Sequence, residues 1–151
     1  NIDNPEQALR EMKRVSKGTV AAVEPCNSTQ ILYVEDEDYK EFFRLMQKAM
    51  GGLARKFNYD FDIGKRLPSL FYKVGLKDIE AFSCNVTLVS GDEEKKSLTK
   101  YELENFRKHI VPDYLSLKEY ERLEKLNSLG KKPPLGSVVA TPFFIVKGEK
   151  Y

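Results

Sequence analysis

No apolar run in this 151-residue chain approaches the roughly 20 residues that a membrane span needs. Nor is there an excess of charge of either sign: 25 basic residues stand against 23 acidic ones, for a net charge of +2. Binders of nucleic acid concentrate a basic stripe to meet phosphates. Here the two signs are interspersed, so nucleic acid is not an expected partner. Cysteine is scarce. Cys26 and Cys84 make neither a disulfide framework nor a zinc site, and both read as free thiols beside strand-like segments, which fits a reducing compartment. The single histidine, His109, lies on a charged helical stretch and reads as a solvated surface residue rather than a base. Asp60 and Asp62 flank Phe61 with no His or Cys to complete a metal set, and Asp62 reads better as a helix cap. No secretory signal pattern opens the chain, and the expected location is cytoplasmic.

What is present is ordinary globular material, 41% apolar and 32% charged, enough for one core in one domain, 1–151. Asn4-Pro5 followed by Gln7 is a helix start, and Ala8, Leu9, Met12 and Val15 recur at helical spacing up to Gly18. Thr19 to Val23 is then apolar at every position after the first. That pattern suits a strand covered on both faces. Tyr39, Phe42, Phe43, Met46, Ala49, Met50 and Leu53 form an aromatic-rich helical stripe, with a bend expected at Gly51-Gly52. A further helix runs from Asp62 to Gly75, with Pro68 expected to kink it or mark a later start. Phe82, Cys84, Val86 and Leu88 alternate with Ala81, Ser83, Asn85 and Thr87 in a long strand. Two charged helices follow between 97 and 129, and the last strand spans Val138 to Val146 with Pro142 inside it, which argues for an edge or a bulge. The order is α/β, with a sheet that wants more strands than these residues supply.

PEQALREMKRVSKGTVAAVEP, residues 5 to 25, resembles the helix-turn-strand segment after the fourth strand of class I S-adenosylmethionine-dependent methyltransferases, at Leu9, Arg14, Val15, Lys17, Gly18, Glu24 and Pro25. The Pro-Gly pair common in that turn is missing. DIGKRLPSLFYKVGLKDIEAF, from Asp62, is similar to the next helix and the sixth strand, and TPFFIVKGEK to the antiparallel seventh strand. The resemblance implies the C-terminal part of a Rossmann-like sheet, strands five, six and seven, with helical insertions. It implies a lid over 26–61 and an insertion over 92–136. The type it resembles acts on small molecules, as in ubiquinone and menaquinone biosynthesis. No GxGxG loop occurs in the chain, so S-adenosylmethionine would be held mainly by a half not included here. The chain alone would be incomplete and inactive.

On that resemblance the acceptor would be a small, apolar or aromatic molecule. Asn1 and Ile2 would wall the site near the methyl, and Glu24, at the carboxyl end of its strand, would orient the acceptor or take its proton. The bland alternative for Glu24 is a loop cap or a pair with a lysine. Tyr33, Phe43 and Tyr59 would line the lid. No catalytic residue is assigned. Two other readings stand beside this one: a non-catalytic module that binds a protein through the 97–129 helices, and a fragment of an RNA methyltransferase. An incomplete sheet also invites pairing between copies.

Overall fold

The computed structural model describes residues 4–90, 98 and 100–151. Within them the protein is α/β, with a mostly antiparallel open sheet of four strands and five α-helices. The chain divides into two compact units, one of Asn1–Gln30, Tyr59–Val86 and Thr141–Tyr151, the other of Ile31–Asn58 and Thr87–Ala140.

The first unit opens on α1, Pro5–Val15. Asn4 Oδ1 accepts from the Gln7 amide at 3.0 Å, so one of the free donors of the first turn is satisfied as expected. The other end differs. Ser16, not Gly18, closes the helix, and its hydroxyl accepts from the Gly18 amide at 3.1 Å. Of the apolar stripe only Leu9 is buried, while Met12 and Val15 are exposed. β1 (Thr19–Pro25) pairs antiparallel with β4 (Val138–Glu149), Val20 opposite Gly148 and Val23 opposite Ile145. Val20 is buried and Ala22 half-buried beneath α3 (Ile63–Lys73), whereas Thr19, Ala21 and Val23 on the other face are exposed. The expected cover on both faces is present on one.

α3 continues through Pro68 rather than starting after it. Leu67, Leu70 and Phe71 are buried there, and this packing holds a helix that the proline alone disfavours. Gly75, at φ +73°, ends it: its amide donates to Tyr72 O and that of Leu76 to Phe71 O, the reversed closure that glycine permits. Lys13 Nζ donates to Val74 O and Gly75 O, which ties α1 to the same helix end. Leu9, Val20, Leu67, Leu70, Phe71, Val74, Leu76 and Val146 form the core of the unit. β3 (Lys77–Val89) is the other strand partner of β4, and Glu80 pairs with Lys147 at 3.0 Å. Pro142 does not mark an edge, since β4 pairs with β1, β2 and β3. It falls between the stretch of β4 that pairs with β1 and the stretch, 138–140, that pairs with β2 (Ile31–Tyr33).

The second unit is helical. α2 (Glu37–Lys56) is capped by Asp36, whose Oδ1 accepts from the Tyr39 amide at 2.7 Å. It continues unbroken through Gly51-Gly52, and Gly52 is needed there because Tyr114 lies against it. α4 (Lys100–Ile110) and α5 (Leu117–Lys131) pack on α2 around Leu45, Ala49, Ile110, Leu115, Tyr120 and Leu123. Ser116 and Glu119 form a reciprocal capping box at the start of α5. The start of the expected 26–61 lid contains a 3-10 turn (Asn27–Thr29) and β2. Part of the expected 92–136 insertion, residues 92–97 and 99, lies outside the described residues.

Candidate functional site

Asn1 and Ile2, the expected walls beside the methyl, lie outside the described residues. Glu24 stands where the sequence places it, half-buried near the carboxyl end of β1 and opposite Phe144 of β4. Its backbone is crowded by the first turn of α3. A Cβ added to Gly64 would come within 2.7 Å of Glu24 O and 3.0 Å of Pro25 O, so only glycine lets α3 begin this close to the strand end.

Directly after Glu24-Pro25 the chain buries a polar cluster that the sequence alone does not assemble. Cys26 is fully buried, and its Sγ donates to Asp62 Oδ1 at 3.3 Å and accepts from Thr29 Oγ1 at 3.0 Å. Asp62 Oδ1 also accepts from the Ser28 amide at 2.9 Å, while Lys65 Nζ lies 3.7 Å from Asp62 Oδ2 and donates to Ser28 Oγ. Asp62 therefore occupies the cap position of α3 without capping it. Its carboxylate turns back to hold the 27–29 turn instead. Burial works against its charge, but the donors from Ser28 and Cys26 and the nearby Lys65 ammonium outweigh that, and its pKa falls below the usual value. Fully buried and held between Asp62 and Thr29, Cys26 serves this turn as a structural residue. Asp60 continues the network, accepting from the Asp62 amide at 3.0 Å and pairing with Arg66 at 2.6 Å. The signal in the sequence was the spacing of Cys26, Ser28 and Thr29, which only the return of the chain at Asp62 makes meaningful.

Tyr59, in the same unit, is half-buried, and burial raises its phenol pKa. Tyr33 lies in the other unit and is 67% exposed. It lines an open groove of about 560 Å³ with Val34, Glu35, Asp36 and the 134–137 turn. Two backbone bonds fix the far wall, Ser90 N to Ser137 O at 2.8 Å and Gly136 N to Ser90 O at 3.0 Å, with Gly136 at φ +77°. Leu135 projects from that wall, 76% exposed. The groove thus joins an aromatic ring, an aliphatic side chain and two carboxylates. Phe43 is half-buried on α2 and does not line it; Phe42, its neighbour, packs against Gly130 and the core. Of the expected lid residues, Tyr33 alone lines this groove. Val34 and the 134–137 turn were not foreseen.

Every buried side-chain nitrogen and oxygen among the described residues has a hydrogen-bond partner, and no group of three metal-ligating side chains occurs among them. The space beside Gly64, at the strand end, is filled by backbone. No helix among them is long and apolar enough to cross a membrane. Comparison with known proteins finds no family model that matches the chain and no similar curated protein.

Proposed function

We propose that this chain is the acceptor-side half of an S-adenosylmethionine-dependent methyltransferase acting on a small apolar or aromatic molecule. The observation that carries the reading is β1. It is an apolar strand, paired along one edge only among the described residues, with Val20 3% exposed on one face and Val23 56% exposed on the other. A strand of this composition belongs inside a sheet with helices on both faces. The antiparallel course of β4 against β1 supports the same reading, because the resembled family ends on an antiparallel strand. In this proposal the open edge and bare face of β1 meet the layer that cradles the methyl donor. The present residues contribute the acceptor side. Glu24 orients the acceptor from the carboxyl end of β1, Tyr59 supplies aromatic surface, and Cys26 with Asp62 stiffens the turn that follows Glu24. Alignment and exclusion of water are the main demands of such a transfer.

The alternative of a module that docks proteins through the helical pair has less support. Its apolar positions Leu103, Ile110, Tyr120, Leu123 and Leu126 are buried inside the second unit.

The test is calorimetric titration with S-adenosylhomocysteine, the demethylated cofactor. Residues 1–151 alone should show no binding at micromolar concentration, whereas the chain joined to a strand-forming, glycine-rich upstream half should bind. Tight binding by residues 1–151 alone refutes the division of labour proposed here.

A further inference from the structure

The open edge of β3, as distinct from the apolar face it shares with β1, has no role in the proposed reaction. Every residue from Ala81 to Val89 is exposed, Phe82 at 51%, Val86 at 46% and Leu88 at 56%. These nine positions carry no charge, in a chain that is 32% charged. Among the described residues β3 pairs with β4 only, so its second edge is open. Soluble proteins blunt such edges with lysine, proline, a bulge or short length. β3 has none of these over 81–89 and is 13 residues long.

We propose that the open edge of β3 docks the same edge of a second copy of this chain, antiparallel, about a two-fold axis at Asn85. The pattern of the strand selects this partner and this register. When Asn85 faces Asn85, Phe82 faces Leu88 and Cys84 faces Val86 on one side of the ribbon. Ser83 faces Thr87 and Ala81 faces Val89 on the other. Every apolar side chain of the first set meets an apolar one, the two amides meet at the axis, and Glu80 falls opposite Ser90 rather than an apolar residue. Sliding by one pair, to set Cys84 against Cys84, brings Glu80 against Leu88. No like charges face each other from 80 to 90. Side chains directly opposite are the unit of sheet stabilisation, and an isologous interface requires this self-complementarity. Nine residues a side bury less than the ~800 Å² per partner of a stable complex, so the pair is a weak dimer, formed at high concentration.

Disulfide trapping tests it on the full native polypeptide. In a Cys84→Ser background, Asn85→Cys places two thiols opposite each other across the axis. Mild oxidation should link them roughly tenfold or more faster than it links Val23→Cys in the same background, because pairing raises their effective concentration. Unaltered Cys84 should link no faster than that control, since diagonal Cα atoms ~7–8 Å apart exceed disulfide reach. Phe82→Glu, at an exposed position, should abolish both the linking at position 85 and any concentration-dependent sedimentation while leaving the circular dichroism unchanged. Three results overturn the proposal: linking at position 85 no faster than the control, a monomer up to millimolar concentration, or preferential linking of Cys84. Protection, in the monomer, of those 81–89 amides that point away from β4 would likewise overturn it, by showing the edge already covered within one polypeptide.

Discussion

Glu119 shows how much one side chain does when its neighbours are fixed. Its carboxylate accepts from Lys48 Nζ at 2.7 Å and from the Ser116 amide at 2.9 Å, which closes the capping box of α5. The Lys48 bond is the largest influence, the Ser116 bonds add to it, and together they bring the pKa from 4.5 to about 2. The depressed value sets the sign of the pH dependence. The contribution to stability is complete above the unfolded value near 4.5 and is lost as pH falls toward about 2. Glu119→Gln should therefore destabilise the protein by ~0.5–1.5 kcal/mol at pH 7, the scale of a lost cap. The gap between variant and parent should narrow steadily in urea melts from pH 5 down to pH 2. A gap that is constant across that range would mean the ionised form plays no part. Asp62 obeys the same sign rule, since its pKa is also lowered.

At the scale of elements, glycines separate the constraints that the sequence shows from those it hides. Gly51 and Gly52 read alike as breakers of α2, yet the helix passes through both. Gly52 is held against Tyr114, whereas a Cβ at Gly51 meets nothing within 4 Å. Gly51→Ala should thus raise stability by up to ~1 kcal/mol, the helix-propensity difference. Gly64→Ala should lower it by ~1–3 kcal/mol, because the new methyl meets backbone oxygens of Glu24 and Pro25 that cannot swing aside. Thermal melts of the two variants check both signs, and equal effects would refute this account of the β1–α3 approach. Periodicity made the helices, the long strands and most core positions legible, from Leu9 and Phe71 to Leu123, because burial repeats at 3.6 or 2 residues. It missed β2, which is three residues long and too short to show a period. It also misread Asp62, whose role depends on a segment far away in sequence, and Gly18, which yields the helix end to Ser16 two residues earlier. The candidate site was less legible still. Glu24 and Tyr33 were placed on a strand end and in a loop, but the Cys26–Asp62 network and the groove wall at Leu135 arise only when distant segments meet.

For the whole molecule, the bare face of β1 is the feature with the widest consequence. Glu80 and Lys147 form their ion pair across neighbouring strands, so Phe82 lies on the same face of β3 as Glu80. By alternation, Ala21 and Val23 share a face of β1 opposite Lys147 and Ile145 of β4. That face of the first unit is apolar and uncovered at Val23 and Phe82, while the face beneath α1 and α3 holds the core. An exposed apolar face of this kind marks an interaction surface. The proposal of a missing cofactor-side layer therefore predicts that one substitution will have two different costs. Val23→Asp in residues 1–151 alone alters a side chain already 56% exposed, so its effect should stay within ~0.5 kcal/mol. With the upstream half joined, the same change buries an unpaired carboxylate against that layer and should cost ~3 kcal/mol or more. Denaturant melts of both forms measure the difference directly. If the two costs agree, Val23 faces solvent in both, and β1 is an edge of a finished sheet rather than an interior strand.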